Sequence, residues 1–222
     1  TNTPVFDESF QVTGPGEKTS PAFTSTEAGI YTFVETVTTP DGRSATHECG
    51  QTEETFRIID LTTKTASTLV RTGDALTDTA IVKGLADDET TKVTATLYGP
   101  FALGTTPIGT FDEIRSGSAT ATPWVCDATN TVGSVTFDVT GDGEHVSPSV
   151  VVPEPGLYTW VETLAVPGTT DFSTHACGIT NETTRVVNIK TKTSAQEIAP
   201  DEKIHDVGIV TGLADDEKAT SP

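Results

Sequence analysis

Apolar and polar positions alternate along most of this chain. From Tyr31 the alternation puts Tyr31, Phe33, Glu35 and Val37 on one face, with Thr32, Val34 and Thr36 on the other. A later stretch carries Tyr158, Trp160, Glu162 and Leu164 in the same phase. Phe6–Gly14, Leu76–Leu85, Lys92–Phe101 and Ser134–Asp142 are further runs that end in Gly-rich or acidic turns. No stretch of helical length shows a 3.6-residue period. Seven or so short strands in about 127 residues predict an all-β fold, an immunoglobulin-like β-sandwich.

The length of that unit comes from self-similarity. The stretch from Gly29 to Ile59 is rewritten from Gly156 to Val187, pairing Tyr31 with Tyr158, Glu35 with Glu162, His47 with His175, Cys49 with Cys177 and Arg57 with Arg185. The offset is about 127 residues and grows to about 128 after one extra residue in the second turn. GLADDE recurs at the same spacing, from Gly84 to Glu89 and from Gly212 to Glu217. Tandem repeats of about 127 residues then divide the chain. Residues 1–62 read as the C-terminal half of one repeat, 63–190 as a complete repeat, and 191–222 as the first strands of another. The polar runs Leu61–Thr68 and Ile189–Gln196 read as short linkers, so the domains should form a stiff string. A chain that starts and stops inside repeats reads as a piece of a longer protein, with any export signal or wall anchor outside it.

Composition narrows the partners. Thr makes up roughly a fifth of the residues and Met is absent, as suits pleated strands. A net charge of -19, from 32 acidic and 13 basic residues, argues against nucleic acid and anionic membrane surfaces. No run approaches the roughly 20 apolar residues of a membrane span. The acidic turns Asp87–Glu89 and Asp215–Glu217 read as solvated hairpin tips rather than calcium cages, because three consecutive carboxylates do not surround an ion. No metal and no cofactor is expected.

Of the 3 cysteines, Cys126 and Cys177 fall in the complete unit and are expected to form a disulfide, leaving Cys49 free. The alternative reading, metal binding through His175 and Cys177, lacks a second ligand pair. Such a disulfide implies an exported, oxidising setting. Glu162 and its counterpart Glu35 are the unusual positions, since each carboxyl shares a strand face with two aromatic residues. A carboxyl on a core face needs a hydrogen-bonded partner or becomes neutral. His175, in phase with Cys177, is the expected partner.

The pattern DTA…GL…TATLYGPF…GLYTWVE…H…ETT resembles the sandwich domains of Gram-positive surface adhesins, particularly those closed by an autocatalytic Thr–Gln ester bond. The resemblance covers residues 63–190. It implies an ester between Thr79 and Glu182, assisted by Glu162 and His175. Three departures stand out. Glu182 occupies the place of the family's Gln and would lose water rather than ammonia. The family's additional acid after the TLY-like strand is Gly99 here. The third copy carries Val207 where the second has Thr79.

The leading reading is a non-enzymatic stalk on a bacterial cell surface, built of disulfide-stapled sandwiches whose partners are the neighbouring repeats. Its alternative is a binding module that takes a host or surface ligand through Gly104–Ala121. The autocatalytic ester domain is the third reading.

Overall fold

The computed structural model describes residues 4–25, 27–120, 124–169 and 172–220, which form two compact units, 1–58 and 59–222. The chain is mostly β-strand, in several sheets. Among the described residues no helix is long and apolar enough to cross a membrane.

In the first unit β1 (Gly29–Thr32) pairs antiparallel with β4 (Thr55–Ile58), and β2 (Thr36–Thr38) with β3 (Ser44–Thr46). Tyr31, Phe33 and Phe56 gather around Phe23, with ring centroids 5.4 to 6.4 Å from it. These rings line a cavity of about 710 Å3.

The second unit holds β5 (Asp60–Thr65), β6 (Leu69–Arg71), β7 (Ala75–Leu76), β8 (Asp78–Lys83), β9 (Thr90–Phe101) and β10 (Thr131–Thr140). It continues with β11 (Gly143–Val146), β12 (Val150–Val151), β13 (Gly156–Ala165), β14 (Phe172–Thr174), β15 (Thr183–Thr193) and β16 (Asp206–Thr211). A large sheet runs β10-β9-β13-β15-β16, with β14 beside β13 and β6 parallel to β15. A second sheet runs β11-β8-β5. Leu61, Ala80 and Val82 from the small sheet pack with Val93, Val139 and Leu164 from the large one. The core therefore lies between the two sheets. β9 shows why it forms: Thr91, Val93, Ala95 and Leu97 are buried, while Lys92, Thr94 and Thr96 face out. There Thr94 meets Thr136 and Thr96 meets Ser134 across the strand pair, at 2.9 and 3.0 Å.

Three features depart from the reading of the sequence. Leu61–Thr68 is not a linker. Its first residues are β5, and alternation buries Leu61 and Thr63 at 3% and 2% exposure while Lys64 faces solvent. Thr is β-branched, so a polar run rich in it makes a strand as readily as a connection. The second unit accordingly begins at Ile59, ahead of the expected 62/63 division, and β15 runs through the 190/191 division. Finally, the loop between β9 and β10 contains a helix, α1 (Phe111–Arg115), closed by a Thr110–Glu113 capping box.

Pairing registers recur along the chain. β5 and β8 pair from Asp60↔Lys83 to Thr65↔Asp78, and the end of β15 pairs with β16 from Asn188↔Thr211 to Thr193↔Asp206. β1 and β4 pair from Gly29↔Ile58 to Thr32↔Thr55, matching Gly156↔Val186 to Thr159↔Thr183 between β13 and β15.

Candidate functional site

Four elements bring polar side chains to one buried place in the second unit. β5 supplies Thr63, β8 supplies Asp78, β13 supplies Glu162, and a 3-10 turn at Thr180–Glu182 supplies Glu182. Their exposures are 2%, 1%, 0% and 0%. His175 follows β14, with its side chain 7% exposed. Alternation explains the strand residues. Asp78 lies in phase with Ala80 and Val82, and Glu162 with Tyr158, Trp160 and Leu164, all of them core residues.

Thr63 Oγ1 is the centre. It lies in very close contact with Glu182 Oε1, 3.0 Å from Glu162 Oε2 and 3.3 Å from His175 Nδ1. Carboxyl oxygens of Asp78, Glu162 and Glu182 all lie within 4.8 Å of one another. One hydroxyl proton cannot serve two carboxylates, so at least one acid brings its own. If all three acids were ionised, both oxygens of Asp78, Oε1 of Glu162 and Oε2 of Glu182 would have no donor. Protonation removes that conflict. Burial pushes Glu182 up to about 11 and Asp78 up to about 6, and drives Glu162 well above the usual carboxylate range, with the neighbouring acids adding to the rise in the two glutamates. Glu182 is thus a neutral acid at pH 7, and burial displaces Glu162 in the same direction.

The tautomer of His175 follows from its partners. Nε2 lies 3.0 Å from the carbonyl of Leu61, which can only accept, so Nε2 carries the proton. Burial lowers the pKa of the ring and keeps it neutral. Nδ1 is then a bare acceptor aimed at Thr63 Oγ1 and at Glu162 Oε2, 3.1 Å away. The contact with Glu162 is a hydrogen bond between neutral groups rather than an ion pair. A cation would find three carboxyl groups and a hydroxyl here, with no opening for water. Calcium takes about six to eight oxygens, and shared protons already account for this cluster.

Of the four cross-link residues expected from the sequence, the structure brings Glu162, His175 and Glu182 together. It does not bring Thr79. Asp78 and Ala80 hold the innermost phase of β8, which turns Thr79 and Ile81 away from it. Thr79 is 8% exposed and its hydroxyl reaches none of the other three. Thr63 has that place. Asp78 is the third acid of the cluster, and position 99 could not hold one. Gly99 has φ 145°, and a Cβ there would lie 2.6 Å from the ring of Tyr158. Thr63 and Asp78 fall outside the site residues expected from the sequence, and one signal could have found them: the third copy keeps them as Thr191 and Asp206 while changing Thr79 to Val207. Cys126 and Cys177 are joined and Cys49 is free. Neither half-cystine lies in a strand.

No protein-family model matches the chain, and no curated protein does. Among solved structures, the chain is similar to the sporulation control protein Spo0M of Bacillus subtilis, at 15% identity and a TM-score of 0.31. That match covers 58% of this chain and 49% of the other. It is also similar to Escherichia coli alpha-2-macroglobulin activated by porcine elastase, at 14% identity and a TM-score of 0.31 over 83% of this chain and 21% of the other. The chain thus spans about half the length of the first and about a fifth of the second.

Proposed function

We propose that this chain is part of an extracellular stalk of tandem immunoglobulin-like sandwiches, whose complete unit closes itself with an ester between Thr63 and Glu182. The observation that carries the reading is the contact of the Thr63 hydroxyl with a neutral, fully buried carboxyl group beside an unprotonated imidazole nitrogen. Ordinary carboxylates resist nucleophiles because they are charged; here burial has removed the charge.

The step is a condensation. Thr63 Oγ attacks Cδ of Glu182 as its proton passes to His175 Nδ1. The Oγ–Cδ bond forms and the bond from Cδ to the acid's hydroxyl breaks. The departing hydroxyl takes one proton back from the imidazolium, directly or through Glu162, and leaves as water. Glu162, which carries its own proton, supplies a hydrogen bond to the oxygen that gains charge during the attack. No external reactant is consumed and the site acts once, which is self-processing rather than turnover.

The placement of the bond supports the stalk. It joins β5, where the chain enters the unit, to the turn that leads into β15, 119 residues later. A pull on the two ends would pass through one covalent link instead of the hydrogen bonds between. The recurring registers support the repeat. So does a tyrosine in each copy, Tyr31 and Tyr158, that donates to a carbonyl four residues upstream at 2.9 and 2.8 Å, as at an immunoglobulin tyrosine corner. The disulfide fits an oxidising compartment.

Intact mass tests the reading. After reduction the chain should weigh about 18 Da less than its sequence, and Thr63→Val should restore the full mass. A wild-type chain at full mass would sink it.

A further inference from the structure

His175 and Glu182 sit at the two ends of one short segment, and that segment has little regular structure of its own. On its near side, β14 pairs with β13, and the His175 amide donates to the Glu162 carbonyl at 3.0 Å. On its far side, Ile108 donates to the Gly178 carbonyl and Thr180 to the Gly109 carbonyl, both at 2.8 Å. Between these ties lies Cys177, two residues after the imidazole, bonded to Cys126. Cys126 is itself held. Trp124, two residues earlier, is buried, its ring stacks on Phe101 at 4.6 Å, and its indole N–H donates to Thr105 at 2.7 Å. From the other side, Phe111 of α1 lays its ring against the imidazole at 4.8 Å.

The first unit shows the matching stretch, with Glu48 in place of Ala176, without the bond. Thr46-His47-Glu48-Cys49-Gly50 corresponds to Thr174-His175-Ala176-Cys177-Gly178, and Cys49 is an exposed thiol. There the ring is turned over: Nε2 faces Glu35 Oε2 at 2.9 Å and Nδ1 faces the Glu48 carbonyl at 3.1 Å. This motif therefore has two ring settings, and only one directs Nδ1 at the glutamate.

Resting on the ester reading, we propose that the Cys126–Cys177 disulfide is a positioning device for His175, so that the Thr63–Glu182 bond closes only in the disulfide-bonded chain. Without the bond, two loops that share no strand must hold the imidazole within reach of one hydroxyl. A misplacement of about 1 Å costs a proton-transfer step about a hundredfold.

The test uses the full chain. Cys126→Ser/Cys177→Ser is purified beside the wild type, and loss of the 18 Da water is followed with time by mass spectrometry. The ester should form about a hundredfold more slowly in the variant, at a temperature where both chains give the same near-ultraviolet circular dichroism. Equal rates would overturn the proposal. A second arm separates positioning from stability. In Thr63→Val, which cannot close the ester, imidazole nitrogen shifts report which nitrogen of His175 carries the proton. That proton should sit on Nε2 in the oxidised chain and be shared between both nitrogens after mild dithiol reduction. An unchanged tautomer would overturn positioning even if the ester were slow. A wild type that never loses water would sink the ester reading instead, and the tautomer arm would still decide what the disulfide does. If the double variant fails to fold, the reduced Thr63→Val chain supplies the same reading.

Discussion

The chain sets out one trio of side chains twice, Glu35, His47 and Glu54 in the first unit and Glu162, His175 and Glu182 in the second. In both, the histidine amide donates to the carbonyl of the first glutamate, and a 3-10 turn presents the second. In the first unit the side chains of His47 and Glu35 are 27% and 50% exposed; in the second those of His175 and Glu162 are 7% and 0%. The pKa of His47 is raised, first by the Glu48 carbonyl and then by Glu35, whereas burial lowers that of His175. The difference is the sheet laid over the second trio. β5 and β8 exclude water, add Thr63 and Asp78, and offer the Leu61 carbonyl that fixes the tautomer. A constellation of residue types is not yet a site; the covering strands turn two ordinary carboxylates into neutral acids beside a base.

The sharpest break between the two trios is covalent. Peptide mapping should find residues 63 and 182 in one cross-linked pair, and Glu54 in an unmodified peptide. Thr63→Val removes the link altogether, an all-or-none effect in mass. A cross-linked peptide containing Glu54 would show that burial is not what separates them.

Next in size is the disulfide. It encloses a separation of 51 residues, so its loss should cost roughly 3–4 kcal/mol, chiefly through the unfolded chain. Urea unfolding of Cys126→Ser/Cys177→Ser in the Thr63→Val background measures it apart from the ester. Thiol counting on denatured wild type should find Cys49 alone. Three reactive thiols would dismiss the bond.

The all-β class and three site residues could be read because apolar and polar positions alternate. Alternation around Tyr158, Trp160 and Glu162 announced a strand with a carboxyl on its core face, and the phases shared with Cys177 and with Thr184 and Val186 turned His175 and Glu182 toward it. Thr63 was hidden because a strand of Thr and Lys at a sheet edge has the composition of a linker. Asp78 was hidden by one position. Ile81 looked like the core residue of β8 and carried Thr79 inward with it, whereas the small Ala80 holds the innermost phase, where strands of the two sheets meet closely. Hydrophobic size misled where close packing favoured the smaller side chain. α1 is too short to show a period.

Acidity separates the trios gradually, over several pH units. In Thr63→Val, Glu162 and Glu182 titrate above their ordinary value of 4.5, so the folded state holds protons that the unfolded chain has released. Stability should therefore fall as pH rises from about 5 to 8, by up to about 1.4 kcal/mol per pH unit for each such proton. His175 works the other way. Its lowered folded value makes stability fall as pH drops below the ordinary 6.5, which flattens the acid side of the curve. Thermal melts at pH 5, 6, 7 and 8 would read the slope. A Thr63→Val chain more stable at pH 8 than at pH 5 would mean that the two glutamates are ionised and the cluster is wet.

Thr79→Val tests whether the neighbouring hydroxyl matters at all. The exchange is nearly isosteric, Val207 stands at the matching place, and no bond to the cluster is lost. The cost should stay below about 1.5 kcal/mol, with the ester still formed.

The smallest effect belongs to the exposed trio. Glu35→Gln removes a carboxylate that His47 meets near the surface, where water and salt screen the pair. The melting temperature should not move measurably. The titration of His47, followed by its ring proton shifts, should move down toward the ordinary value without reaching it, because the Glu48 carbonyl contributes more to the rise and remains in place. The matching Glu162→Gln change should leave the chain folded, since an amide replaces an already neutral acid, yet slow ester formation by removing a proton relay beside Thr63. Both substitutions delete one carboxyl group from the same pattern. If Glu35→Gln moved the melt as far as a core change does, the first trio would be buried in solution, and the contrast drawn between exposed and covered copies would fail.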